Sequence, residues 1–304
     1  MNWRELITSY GISPSFLTGK HGPCPICTGK DRFRFDDKGK GMYYCNNCGA
    51  GDGYSLIMKF TGQDFKTIKN KIDAVTGGDI STEMEKPDYT KNIKPFQAIL
   101  KLMKPIINTP VEDYLLSRSI SLDTIKQCNG LFYLRNADRW HDGQRTQHDC
   151  MIAGVRNEQP VTLHRTYLQK GVKIDRKLMP VIRESKGMAI QLFKYEKTLG
   201  IAEGIETALS CFELFGIPTW SVISTAGIKG FNPPKDTNII IFADNDENFA
   251  GQSVAYEKAK ELHNKDYNVT VKVPSKKGYD FNDVLRDSTK TEADFRKENI
   301  LIDD

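Results

Sequence analysis

Two rhythms of apolar and polar residues run along this chain, and they predict most of its elements. "MNWRELITSYGI" reads as a short amphipathic helix, with nothing resembling the apolar core of a signal peptide. The clearest pattern lies in the last third. "KTLGIAE" is a brief apolar run, and in the "GIETALSCFELFG" that follows, Ile205, Ala208, Leu209 and Phe212 recur at helical spacing until Gly216 stops the helix. "IPTWSVIS", "NIIIFAD" and "YNVTVKV" read as three further strands, and "AGQSVAYEKAKELHNK" as a helix. Strands alternating with helices predict an α/β fold with parallel pairing and right-handed crossovers. Ligands of such sheets sit beyond the carboxyl ends of the strands, where Glu203 and Asp244 fall.

Upstream the pattern weakens. Residues 1–60 are rich in glycine and regularly spaced cysteine, which predicts a small separate domain. "TGGDISTEMEKPDYTKNIKP", from Thr76 to Pro95, has two prolines and neither periodicity, so residues 61–95 are expected to form a linker. A basic subdomain over 96–196 and the α/β region over 197–304 complete the expected organisation. At 39% hydrophobic and 27% charged residues the composition is that of a soluble globular chain, and no apolar run approaches the roughly 18 residues of a membrane span. A cytoplasmic location, bacterial or in an infected host cell, is therefore expected. The net charge of +4 decides little, but its distribution is uneven. Between Arg135 and Lys186 eleven Lys and Arg face six Asp and Glu, whereas acids gather at 244–247 and 280–287. A basic stretch leading to an acidic focus suits an enzyme that handles polyanions.

Seven cysteines cannot all pair, and four of them carry a spacing of their own. Cys24 and Cys27 are two residues apart, as are Cys45 and Cys48, with seventeen residues between the pairs. Two such knuckles on a hairpin place four thiolates around a structural Zn²⁺. Between them "KDRFRF" alternates Arg32 and Arg34 with Phe33 and Phe35, giving a strand one basic face that could hold phosphates and one aromatic face suited to the ribbon's small core.

Asp244 and Asp246 pose the main chemical question. Two carboxylates about 5 Å apart repel by roughly 3 kcal/mol at an effective dielectric of 20, and Glu203 from the next strand end adds to this. Such a group is relieved by raised pKa values or by a cation, and oxygen ligands suit Mg²⁺ or Mn²⁺. Asp280 and Asp283 in "KKGYDFNDVL" supply further acids after the last strand.

These stretches carry a family resemblance. "IAEGIETAL", "IIIFADNDENFAG" and "GYDFNDVL" resemble the three motifs of the Toprim domain. The cysteine module is similar to the zinc-binding domain of phage- and plasmid-encoded primases, and "LHRTYLQKGVKIDRKLMP" resembles the basic stretch that precedes Toprim in them. The resemblance implies a DNA primase that joins ribonucleoside triphosphates on single-stranded DNA. Carried over, Glu203 is the family glutamate, credited with metal binding or proton transfer, Asp244 and Asp246 are the metal-binding pair, and Asp280 is the third-motif acid with Asp283 as second candidate. Arg165, Lys173 and Lys177 would touch template or nucleotide phosphates, with Arg32 and Arg34 in the zinc module. Glu206, one helical turn from Glu203, departs from the family pattern. No GxxxxGK[ST] loop occurs in the chain, so unwinding is expected from a separate helicase. The alternative is a non-catalytic, zinc-dependent single-strand binder or helicase-recruiting factor. A phosphatase of the haloacid-dehalogenase type fits less well, because Asn248 stands where that class needs Thr or Val.

Overall fold

The computed structural model describes residues 2–77, 88–141, 143–287 and 300–302. The chain divides into two compact units, Met1–Pro87 and Asp88–Asp304.

The first unit opens with helix α1 (Trp3–Ser9), started by a reciprocal cap between Asn2 and Glu5. Strands β1 (Phe33–Asp37), β2 (Met42–Cys45) and β3 (Gly49–Gly51) form an antiparallel sheet in that order. Helices α2 (Gly53–Thr61) and α3 (Phe65–Thr76) follow. Trp3, Leu6, Phe33, Phe35, Tyr43, Leu56, Ile57, Ile68 and Ile72 share one buried core. Gly53 is required there, since a Cβ would lie 2.1 Å from the Trp3 ring. The phenylalanines of "KDRFRF" thus face inward, as the aromatic side of that strand requires. The expected linker begins too early. Residues 65–76 are helical because Ile68 and Ile72, four apart, give the helix a face to bury. Residues 78–87 lie outside the described residues, and helix α4 (Thr90–Leu102) begins before Pro95, which it contains.

In the second unit, α5 (Pro110–Ser117) and α6 (Leu122–Gln127) lead into four long or medium antiparallel strands, β4 (Leu131–His141), β5 (Gln144–Arg156), β6 (Pro160–Gln169) and β7 (Val172–Leu178). Then come β8 (Ala189–Ile190), β9 (Thr198–Ala202), α7 (Ile205–Phe215), β10 (Thr219–Ser221), α8 (Thr225–Gly230), β11 (Asn238–Phe242), α9 (Ala250–His263), β12 (Val269–Pro274), α10 (Phe281–Arg286) and β13 (Ile300–Ile302). All ten strands belong to one mixed sheet, ordered β13-β12-β11-β9-β10-β8-β5-β6-β7 with β4 also on β5. The four strands expected from the sequence are parallel and adjacent as β12-β11-β9-β10. Two-residue β8 joins them to the antiparallel strands, Ile190 pairing with Ser221 on one side and Val155 on the other.

The sheet's two faces are covered differently. On one, α5, α6, α7 and α10 bury a continuous core running from Ile106 to Val284. On the other, α4 packs against Ile152, Leu163 and Tyr167 at one end. At the other end α8 and α9 pack against Leu199, Ile201, Ile239 and Ile241.

Candidate active site and zinc centre

The four cysteine sulfurs of the first unit lie within 4.8 Å of one another. Cys24 Sγ is 3.8 Å from Cys48 Sγ, and Cys27 Sγ is 3.8 Å from Cys45 Sγ. A tetrahedron with arms of about 2.3 Å, the Zn–S bond length, has edges of about 3.8 Å. Backbone N–H groups of Ile26 and Cys48 point at Cys24 and Cys45 sulfurs from 3.4 Å, as suits thiolates. The quartet fits structural zinc without rearrangement. Arg34 pairs with Asp36 at 2.8 Å on the half-exposed side of β1, and Arg32 precedes that strand.

The acids of the second unit meet at the carboxyl ends of the parallel strands. Glu203 follows β9, Asp244 and Asp246 follow β11, and Asp280 and Asp283 open α10 after β12. Because the strands run the same way, their ends converge on one rim. Asn245, between the two aspartates, ties that rim together. Its N–H donates to Tyr279 O at 2.9 Å, its carbonyl accepts from Gly278 N at 2.7 Å, and its amide donates to Pro274 O at 2.7 Å. Gln252 donates to Asn245 Oδ1 at 2.8 Å. Gly251 lets α9 come close: its N–H donates to Asp246 Oδ2, and a Cβ would lie 3.0 Å from that oxygen and from Asp244 O.

Electrostatics mark Asp244. Its Oδ1 is buried with no hydrogen-bond partner. Burial, then the charges of Asp280, Glu203, Asp246 and Asp283, push its carboxyl up to about 7. Burial also raises Glu203, with Asp246 adding to it and Arg176 and the Thr225 N–H opposing. Asp280 is raised by burial, then by Asp283, against the N–H groups it caps. The acids feel one another, yet they are less crowded than the sequence suggested. Among the described residues only the cysteine quartet brings three or more such ligand atoms within 4.8 Å. Local bonds hold the acids apart: Asp280 and Asp283 share a capping box, and Asp246 accepts from Gly251. An orphaned buried oxygen amid all-oxygen donors fits Mg²⁺ or Mn²⁺.

Opposite the acids stands the face of β6 and β7 that carries His164, Thr166 and Arg176; together with Lys173 these line a small cleft with Glu203 and Glu206. Thr166 pairs with Arg176, and a bulge after Tyr167 sets Lys173 opposite Leu168, which returns it to the same face. Lys173 Nζ donates to Glu206 Oε1 at 2.9 Å, and Tyr114 donates to the same oxygen. Burial works against ionisation of Glu206, but Lys173 and Tyr114 hold its carboxyl below the usual range.

Of the three cations singled out in the basic stretch, the structure brings only Lys173 to the acids. Arg165 and Lys177 are register partners on the opposite face of the hairpin. Arg165 lies 5.7 Å over the Tyr167 ring, and Lys177 donates to Trp140 O and sits 3.5 Å from Asp175. Side chains alternate along a strand, so neighbours in sequence part company. Sequence reading missed Arg176, Asn245 and Tyr114. Arg176 meets Thr166 across a bulged hairpin, a register that no signal along the sequence gives.

Three family models match stretches of this chain. Residues 19–54 match the zinc-binding domain of primase-helicase, and residues 198–291 match the Toprim domain. Residues 90–189 match a domain of unknown function (DUF7146). Among solved structures, the Aquifex aeolicus primase (zinc-binding and RNA polymerase domains) is 12% identical, with 99% of this chain and 84% of that chain covered and a TM-score of 0.45. The primase fragment of the bacteriophage T7 primase-helicase protein is 18% identical, with 90% and 97% covered and a TM-score of 0.45. A DNA primase domain from Pseudomonas aeruginosa is 13% identical, with 71% and 80% covered and a TM-score of 0.46. Fold and sites define the class: a zinc ribbon followed by a Toprim domain on one mixed sheet. The chain carries an N-terminal zinc-binding domain similar to that of primase-helicase and a C-terminal Toprim domain. No helix of the described residues is long and apolar enough to cross a membrane.

Proposed function

We propose that this protein is a DNA primase that synthesises short RNA primers on single-stranded DNA. One observation carries the reading: the partnerless buried oxygen of Asp244, set among Glu203, Asp246 and Asp280 at the strand ends, with Arg176 facing Glu203. Asp244, Asp246 and Asp280 would hold Mg²⁺ or Mn²⁺, with Asp283 beside them, and the metal would supply Lewis-acid activation of the nucleotide phosphates. Arg176 and Lys173 would orient the triphosphate by charge. Glu203, its pKa raised, is suited to accept the proton of the attacking 3′-hydroxyl as the new bond to the α-phosphorus forms and pyrophosphate leaves. Arg32 and Arg34 of the zinc module would contact template phosphates. A replicative helicase is the proposed partner.

Labelled ribonucleotides on single-stranded template provide the test. Product is expected with Mg²⁺ or Mn²⁺ and none with EDTA. Glu203→Gln should lose synthesis while keeping template binding and fold. Tight template binding without product under any metal would overturn the enzymatic reading in favour of a non-catalytic single-strand binder.

A further inference from the structure

The Toprim site uses one face of the sheet, and the other face has a gap. There α4 packs over β4–β6 and α8 and α9 over β9, β11 and β12, and between them, beside β5 and β10, the sheet is left partly open. The gap is a groove of about 790 Å³, with half-buried Phe132 and Tyr195 and the buried Trp220 among its apolar lining. It continues into a second hollow of about 750 Å³ through the shared residues Arg156 and Trp220. Trp220 faces away from the acids, because its neighbour Ser221 points to the other side and lines the cleft with Glu203.

The charge of this path is one-sided. Arg156 and Lys194 border the first hollow and Arg156, Lys186 and Lys235 the second, all four exposed, against the single carboxylate of Glu158. Among the described residues none of the four cations has an ion pair. An apolar helix from a partner would need no such cations, whereas a polyanion with flat hydrophobic groups uses both features. Cations track a phosphate backbone and aromatic walls accept unstacked bases.

We infer that this groove is a second path for single-stranded nucleic acid, on the sheet face opposite Glu203, that holds strand outside the catalytic cleft. The inference rests on the reading of the protein as one that works on single-stranded template, but its test is separate. Binding of a fluorescent oligo-dT to the full chain is followed by anisotropy across a range of salt. The double variant Arg156→Glu, Lys194→Glu is compared with a control of equal charge, Lys126→Glu, Lys260→Glu, on exposed helix positions.

The groove variant should bind at least about tenfold more weakly, and its log–log salt slope should fall by about 1.4, since each phosphate contact on a single strand contributes about 0.7. The control should stay close to wild type. If thermal melting shows the groove variant misfolded, Lys186→Glu, Lys235→Glu serves in its place with the same expectation. A groove variant that binds and responds to salt like the control overturns the inference and leaves the groove to a protein partner. Primer synthesis by wild type in that case leaves the proposed function standing. Conversely, loss of oligonucleotide binding in the groove variant, with no synthesis by wild type, keeps the groove and removes the polymerase.

Discussion

Asp244 concentrates the electrostatic strain of the second unit's acids in one side chain. A carboxylate with a buried, partnerless oxygen and four acidic neighbours is costly unless something positive joins it. Asp244→Asn should therefore weaken Mn²⁺ binding by more than about 100-fold, beyond what loss of an outer-sphere partner costs, without lowering the melting temperature of the metal-free protein. Calorimetric titration with Mn²⁺ and a thermal melt check this; undiminished affinity would remove Asp244 from the ligand set. At this scale the sequence was legible where an acid follows a strand directly, as with the placement of Glu203 and Asp244. It was opaque for Arg176, one cation in a crowded basic stretch, whose direction depends on strand parity and on a bulge that no local residue announces.

Among the elements, Glu206 is the tie. One carboxylate oxygen receives Tyr114 from α5 and Lys173 from β7 while sitting on the first turn of α7. Glu206→Gln should destabilise the unit by about 2 kcal/mol, below the usual cost of breaking a buried pair because Lys173 is partly exposed. The pH dependence has a definite sign. Glu206 has a folded pKa below its unfolded value, so its contribution is present above about pH 4.5 and declines as pH falls through the folded value. Denaturant midpoints of the wild type and Glu206→Gln should converge in acid; a constant gap would mean that the pair is not ionic.

His164 acts in the same direction. Burial, with help from Arg176 and against Glu206, lowers its pKa to about 4. Its neutral form is favoured in the fold, so stability is full above about pH 6.5 and falls by about 3 kcal/mol towards pH 4. His164→Gln should flatten that part of the stability curve. The hairpins β4–β7 that carry His164 were not legible, because alternation there is blurred by burial on both faces of β5 and β6. The parallel strands were legible, since their short apolar runs end in acids or turn residues.

On the scale of the whole molecule, zinc and the Toprim sheet belong to separate compact units. Chelation of zinc should remove or lower one thermal transition and leave the other in place, because the metal contributes folding energy only where its ligands lie. Differential scanning calorimetry with and without a chelator decides it; a uniform shift of both transitions would contradict two independent units. Within the second unit the described residues show no such division. Ala189 and Ile190 stitch β5 to β10, and one apolar core runs beneath strands from both sides of that seam. A split gene encoding residues 88–196 and 197–304 on separate messages should therefore yield two insoluble products when each is made alone and a working assembly only on co-production. In evolutionary terms, the acid-bearing half of this chain could not be traded as a free-standing cassette without first healing a raw strand edge.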